Sequence, residues 1–204
     1  MSGAGRAWAS ARGELRLALS LRMLPRPVAW FCWRARRRAR RTHDHFSLES
    51  AARPRELAEL LELAAGRLSV FELGTGTAWS AIALALDEGA RHVVSYDPCV
   101  RPERDAYLAL AGPAARERIE LRAEPDTAGP RSGDPDVELL FIDSAHDRES
   151  VLGAFGAWRA ALAPGAVVVF HDHGHPGYPG VAEAVAELGL RGRESGGVFV
   201  WRAP

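Results

Sequence analysis

The sequence predicts an α/β protein built on a doubly wound, mainly parallel sheet with an antiparallel hairpin at its C-terminal end. Three observations carry the prediction. From residue 46 onward, short apolar runs alternate with stretches whose apolar residues recur at helical spacing, the pattern of strands joined by crossover helices. The run Val137-Glu138-Leu139-Leu140-Phe141-Ile142 is apolar almost throughout, as befits a strand covered on both faces. Near the end, Gly196-Gly197 joins two short runs in the manner of a hairpin turn. A chain of 204 residues, 47% hydrophobic and 25% charged, has the length of one domain plus an appendage and the composition of an ordinary globular protein. Wholesale disorder and collagen-like repeats are thereby set aside, and no internal repeat is visible.

Leu57, Leu60, Leu61 and Ala64 recur at helical spacing behind Pro54, a residue that a first helical turn tolerates, so 53–65 is expected to be helical. Residues 68–73 form a first strand ending at a glycine turn, 78–86 an apolar helix, 92–96 the second strand and 102–110 another helix. The third strand is placed at 118–122 and the fourth at 137–142. Val151, Phe155, Trp158 and Leu162 give the next helix one buried face, Pro164-Gly165 is expected to end it, and 166–170 is the fifth strand. A last helix near 181–188 leads to hairpin strands at 190–193 and 198–201. With right-handed crossovers, ligands in such a sheet lie beyond the strands' carboxyl ends, near the point where strand order reverses. Function is therefore sought just after strands one, two, four and five.

The N-terminal segment has a different character. Residues 1–41 hold eleven Arg and one acid, Glu14, whereas residues 42–204 hold fifteen Arg against twenty-five acids, so a net charge of zero hides a local basic segment. There is no Lys, and the choice of Arg at a single site therefore says little. We divide the chain into a basic, aromatic-containing helical arm, 1–45, and a ligand-binding domain, 46–204. The arm is expected to comprise a helix over 12–24, a break at Pro25-Arg26-Pro27, an aromatic cluster with Trp30, Phe31 and Trp33, and the arginine-rich run 34–41. Neither of its apolar stretches approaches the ~20 residues that cross a bilayer, and arginines follow where a signal-peptide cleavage site would stand. With only Cys32 and Cys99 available, no disulfide framework is possible, and the expected compartment is the cytoplasm. Three roles for the arm stay open: a lid or homodimer contact, a peripheral anchor on anionic membrane through 28–41, or nucleic-acid binding. The last ranks lowest because the aromatics sit beside the basic run instead of interleaving with it.

After the first strand comes Glu72-Leu73-Gly74-Thr75-Gly76-Thr77-Ala78, a strand-to-helix turn in which glycines permit a tight bend and the following helix presents free N–H groups. A dinucleotide fingerprint would require a third glycine where Trp79 stands. The second strand ends in Tyr96-Asp97, with Asp97 twenty-one residues beyond Gly76, the spacing of an acid that bonds ribose hydroxyls. The plainer alternative is a glycine turn with solvated acids. With these features in register, and with Leu139-Leu140-Phe141-Ile142-Asp143 and Leu162-Ala163-Pro164-Gly165-Ala166, residues 50–204 resemble the class I S-adenosylmethionine-dependent methyltransferases, which share a Rossmann-like seven-stranded sheet. Phe141-Ile142-Asp143-Ser144-Ala145-His146 and Val168-Val169-Phe170-His171-Asp172-His173 further resemble the small-molecule group that includes macrocin O-methyltransferases and cephalosporin-hydroxylase-like proteins. The resemblance implies that Gly74, Thr75 and Gly76 contact the methionine part of S-adenosylmethionine, Glu72 orders that loop, Asp97 binds the ribose, Glu124 is a candidate for the adenine, and Asp143 adjoins the cofactor.

Asp143 and Asp172 each end a strand, and the expected sheet order makes those strands neighbours, so both carboxylates should face one cleft. Paired carboxylates suit a hard divalent cation such as Mg²⁺. His146 stands three residues after Asp143, the offset at which catechol-type methyltransferases carry a lysine base, and an imidazole there can accept a hydroxyl proton near neutral pH. The same resemblance places His173 where those enzymes have a ligating Asn, which would shift the set Asp143, Asp172 and His173 toward softer metals or remove one ligand altogether. The plainer reading is that His146 caps the following helix. The expected activity is methyl transfer to a small-molecule acceptor, at a hydroxyl oxygen. The rivals are a cofactor-binding interaction protein directed by its basic arm and, more remotely, a zinc hydrolase using His171-Asp172-His173-Gly174-His175. Because every expected cofactor contact lies after residue 70, removing the arm is expected to leave cofactor binding intact.

Overall fold

A computed structural model describes residues 19–204 of the chain. The expected helix over 12–24 falls mostly outside the described residues, which begin with helical residues 19–21. Helix α1, Arg26–Thr42, follows a proline start with Pro25 at its cap. The aromatic cluster and the arginine run thus share one helix. Its buried stripe, Val28, Phe31, Cys32, Ala35 and Ala39, faces the protein, and Phe31 meets Trp79 edge-to-face at 6.2 Å. Helix α2, His45–Ser50, is capped by Asp44, which accepts the Ser47 amide, and at the start of α3, Pro54–Ala64, the Glu56 carboxylate accepts the Arg53 amide.

The expected alternation then unfolds. Strand β1, Ser69–Leu73, leads to α4, Trp79–Asp87, and β2, His92–Tyr96, to α5, Arg104–Ala111, and the short α6, Pro113–Arg116. Strand β3, Ile119–Arg122, and β4, Val137–Ile142, precede α7, Arg148–Trp158, β5, Leu162–His171, and α8, Pro179–Glu187. Strands β6, Arg193–Ser195, and β7, Val198–Arg202, close the chain. The seven strands lie in the order β3-β2-β1-β4-β5-β7-β6, with β7 antiparallel to both of its neighbours and the rest parallel. Gly196 and Gly197 both take positive φ, +61° and +96°, as the tight hairpin turn requires.

The structure departs from the sequence reading at two places, the first for a physical cause. Pro164-Gly165 does not end α7, which stops at Trp158 and passes through a 3₁₀ turn. Leu162 already pairs with Val137, and the register then slips to Leu139↔Val167, so Pro164 and Gly165 sit in a bulge where a missing N–H and a φ of +73° are tolerated. The penultimate strand begins at Arg193, not residue 190. One core lies between the sheet and α1, α3 and α4, the other between the sheet and α7 and α8. Among the described residues, no helix is long and apolar enough to cross a membrane.

Candidate active site

The order β2-β1-β4-β5 reverses direction of winding between β1 and β4, and a cavity of about 750 Å³ opens at the carboxyl ends of these strands. One end of it is the glycine turn after β1. Gly74 has φ +104°, and a Cβ there would lie 2.1 Å from the Asp143 carbonyl oxygen, so the β1 and β4 ends can meet only over a glycine. Gly76 has room for a side chain beside Phe46; what restricts it is its φ of +49°. Ala78, at the N-cap of α4, also holds a positive φ of 67°, which a non-glycine residue adopts only when its surroundings demand it.

The turn is tied down by hydrogen bonds. Glu72 is Cα partner to Ser95 in the β1–β2 register, and its fully buried carboxylate accepts from Ser95 and from Ser80 at the start of α4. Burial pushes the Glu72 carboxyl up to about 7 against the pull of those two hydroxyls. Thr75 shares a 2.7 Å hydrogen bond with Ser95. Asp97 accepts the Gly76 amide at 2.9 Å, the Cys99 amide at 2.7 Å and the Arg104 guanidinium at 2.7 Å. A carboxylate has about four acceptor positions, so Asp97 retains capacity for one further donor. Arg104, buried, also donates to the carbonyls of Gly76 and Cys99, both at 2.7 Å, and locks the two loops together. Sequence reasoning missed it, because in a chain whose cations are all Arg nothing distinguishes this one. Glu124 does not reach the cavity: it pairs with Arg131, and Pro125 and Asp126 line the wall instead, Asp126 accepting the Ser144 hydroxyl at 2.5 Å.

At the other end, Asp143, His146, His171 and Asp172 each offer a ligand atom, all within 4.8 Å of one another. His171 Nδ1 lies 2.9 Å from Asp143 and 3.4 Å from Asp172, and His146 Nε2 lies 3.2 Å from Asp172 and 3.7 Å from Asp143. Despite these distances, none of those nitrogens makes an aligned hydrogen bond. The four side chains converge on a common centre, the two imidazoles lying as close ion pairs among the two carboxylates. A first-row cation with ligands at ~2.0–2.2 Å holds its donors about 3–4 Å apart, so donors from this set fit one after slight tightening, and imidazole beside two carboxylates suits zinc, manganese or iron better than Mg²⁺. Without a cation the carboxylates of Asp143 and Asp172 raise His146 to about 9. Burial pushes His171 down, but Asp143, Asp172 and, 3.5 Å from Nε2, Glu56 outweigh it and hold the imidazole up at about 12. Asp172 adopts φ +56°.

The histidines after β5 part company. His173, expected in the ligand set, turns away, with Nδ1 2.9 Å from Glu194 and its ring stacked on Phe199 at 4.9 Å. His171, one residue before Asp172, takes that place, and His175 stacks on Tyr178 at 4.7 Å. The alternating arrangement of a zinc hydrolase is therefore absent. Nor does His146 cap α7: Asp147 does, accepting the Ser150 amide at 2.9 Å, which leaves His146 free to stack on Tyr178 at 4.2 Å inside the cavity. The remaining wall comes from before β1, through Arg36 of α1, Phe46 of α2 and Glu56 of α3.

Residues 71–173 match the methyltransferase domain family, and the chain belongs to it. Solved structures share the fold at low identity. The O-methyltransferase TomG from Streptomyces achromogenes, solved with SAM, is 19% identical, covering 76% of this chain and 82% of its own at a TM-score of 0.60. Cofactor-bound Rv0187 from MTB is 20% identical over 71% and 78%, with a TM-score of 0.57. CalS11, a TDP-rhamnose 3′-O-methyltransferase of calicheamicin biosynthesis, is 18% identical over 72% and 76%, with a TM-score of 0.56. The comparison with curated proteins found no match. The protein is a methyltransferase on the seven-stranded fold that S-adenosylmethionine-dependent O-methyltransferases use.

Proposed function

We propose that the protein transfers the methyl group of S-adenosylmethionine to a hydroxyl oxygen of a small molecule, with the cofactor on the glycine turn and the acceptor at the Asp143–His146–His171–Asp172 cluster. The observation that carries this is that one cavity holds an ordered glycine loop and Asp97 at one end and four converging donors at the other. In the reaction an acceptor oxygen lone pair forms a bond to the methyl carbon, the carbon–sulfur bond breaks, and its electron pair stays on sulfur. Positioning supplies much of the rate, because oxygen must stand in line behind the sulfonium methyl. Asp143, Asp172 and His171 would hold a divalent cation, and His146, stacked on Tyr178, takes the hydroxyl proton. A cation held there would supply charge that makes the hydroxyl more acidic and would offset the two carboxylates that hold His146 protonated.

The test is calorimetric titration of the purified protein with S-adenosylmethionine, followed by labelled methyl transfer across a panel of sugars and phenols with and without chelator. Binding, and transfer that chelator abolishes and added metal restores, is the expected result. No cofactor binding would sink the reading; full turnover in excess chelator would remove the metal alone.

A further inference from the structure

The outer face of α1 serves neither the core nor the cavity. Along it Arg26, Trp30, Arg34, Arg37 and Arg41 follow at intervals of four, four, three and four, all exposed, opposite the buried stripe of Phe31, Cys32, Ala35 and Ala39. Trp30 is 59% exposed and stacks at 5.0 Å on Trp33, over which the Arg37 guanidinium lies at 5.4 Å. Leu19 and Met23, just before the helix, are also about half exposed. Residues 19–43 contain eight Arg and no acid. Like charges three and four apart on a helix repel, as Arg34 with Arg38 and Arg37 with Arg41 must, and α1 has no acid to relieve them. A solvated basic face would account for the arginines but not for the exposed Trp30 in their midst, stacked on the half-buried Trp33.

We propose that this face docks the protein on an anionic lipid surface, with α1 lying in the interface, Trp30 at headgroup depth, and Arg26, Arg34, Arg37 and Arg41 against the lipid phosphates and carboxylates. An anionic bilayer supplies both complements at once: negative charge in a plane for the arginines, and an amphipathic boundary for the indole with Leu19 and Met23. Nucleic acid matches the charge but offers nothing to the aliphatic residues. The inference does not depend on the methyl acceptor.

The test is flotation of the full chain with phosphatidylserine-containing and purely phosphatidylcholine vesicles at low and high salt, with brominated lipids as tryptophan quenchers. Expected are binding to the anionic vesicles only, loss at high salt, and quenching by bromine. The triple variant Arg34→Gln, Arg37→Gln, Arg41→Gln should bind on the order of a hundredfold more weakly, and Trp30→Ala about tenfold more weakly. All four positions are exposed, so thermal unfolding of both variants should match the parent. No binding to anionic vesicles at low salt would overturn the proposal. So would parent-like binding by the triple variant, quenching that is absent on binding, or tighter binding to a duplex DNA oligonucleotide than to the vesicles.

Discussion

His146 and His171 sit within one cluster yet differ in surroundings, and that difference predicts different consequences for their loss. His171 is buried at the end of β5 with Glu56 behind it, as a ligand held from the second side is, whereas His146 faces the cavity and stacks on Tyr178. His171→Ala is expected to weaken divalent-metal binding by about a hundredfold, read by equilibrium dialysis, with S-adenosylmethionine affinity unchanged. His146→Ala should bind metal far more nearly like the parent and lose ~10²–10⁴ in turnover. Equal metal affinity in His171→Ala and the parent would return that residue to a structural role. Glu72 makes a separate prediction at this scale. Its folded-state pKa of about 7 lies above the ordinary 4.5, so between those values the native state holds a proton that the unfolded state has released. The stabilising contribution is full below about 4.5, falls as pH rises through the window, and is gone above about 7, a swing on the order of 3 kcal/mol at most. Glu72→Gln should flatten that part of the pH profile of the urea midpoint. A slope identical to the parent's would mean that other groups own it.

At the scale of elements, what could be read from sequence was what local pattern encodes. Residues 57, 60, 61 and 64 mark α3, and the apolar run 137–142 marks β4 to the residue. The glycine turn with Asp97 was legible because two spacings, not one, had to agree. The sequence pattern starts β5 four residues late, because Pro164-Gly165 looks locally like a stop and only the pairing with β4 shows that a bulge absorbs it. In sequence α1 looks like a cluster followed by a run because charge dominates the pattern, although Val28, Phe31, Cys32, Ala35 and Ala39 recur at helical spacing. For His171 no local signal existed. Its neighbour Glu56 is 115 residues away on α3, and the choice between His171 and His173 as the cluster member depends on the turn that φ +56° at Asp172 imposes. Glu124 and Asp126 differ for a similar reason, since Arg131, seven residues on, draws Glu124 aside.

For the whole molecule, the question is whether the first 45 residues are an appendage or part of the folding unit. Helix α1 places Phe31 against Trp79, and Trp79 against Tyr107 at 5.1 Å, so its stripe continues into the core on that side of the sheet. Arg36 lines the cavity beside Trp79, and Asp44 accepts from both Ser47 and the Tyr107 hydroxyl while Ser47 bonds Thr77 of the glycine turn at 2.9 Å. A chain starting at Thr42 would expose Trp79, Leu57 and Tyr107 and lose the burial of Val28, Phe31 and Cys32. At ~1.5–3 kcal/mol per large apolar side chain, that loss is comparable with the ~5–15 kcal/mol that holds a whole domain. The expectation that cofactor binding survives removal of the arm therefore gives way to a different one. The truncated chain should melt at least about 10 °C below the full chain, since ~1 kcal/mol shifts a chain of this size by ~2–4 °C, and its weakened S-adenosylmethionine affinity should follow from the unfolded fraction. Thermal unfolding by circular dichroism, with and without saturating cofactor, reads both quantities. A truncated chain that melts cooperatively within a degree or two of the parent would show that α1 rests on the domain without helping to hold it.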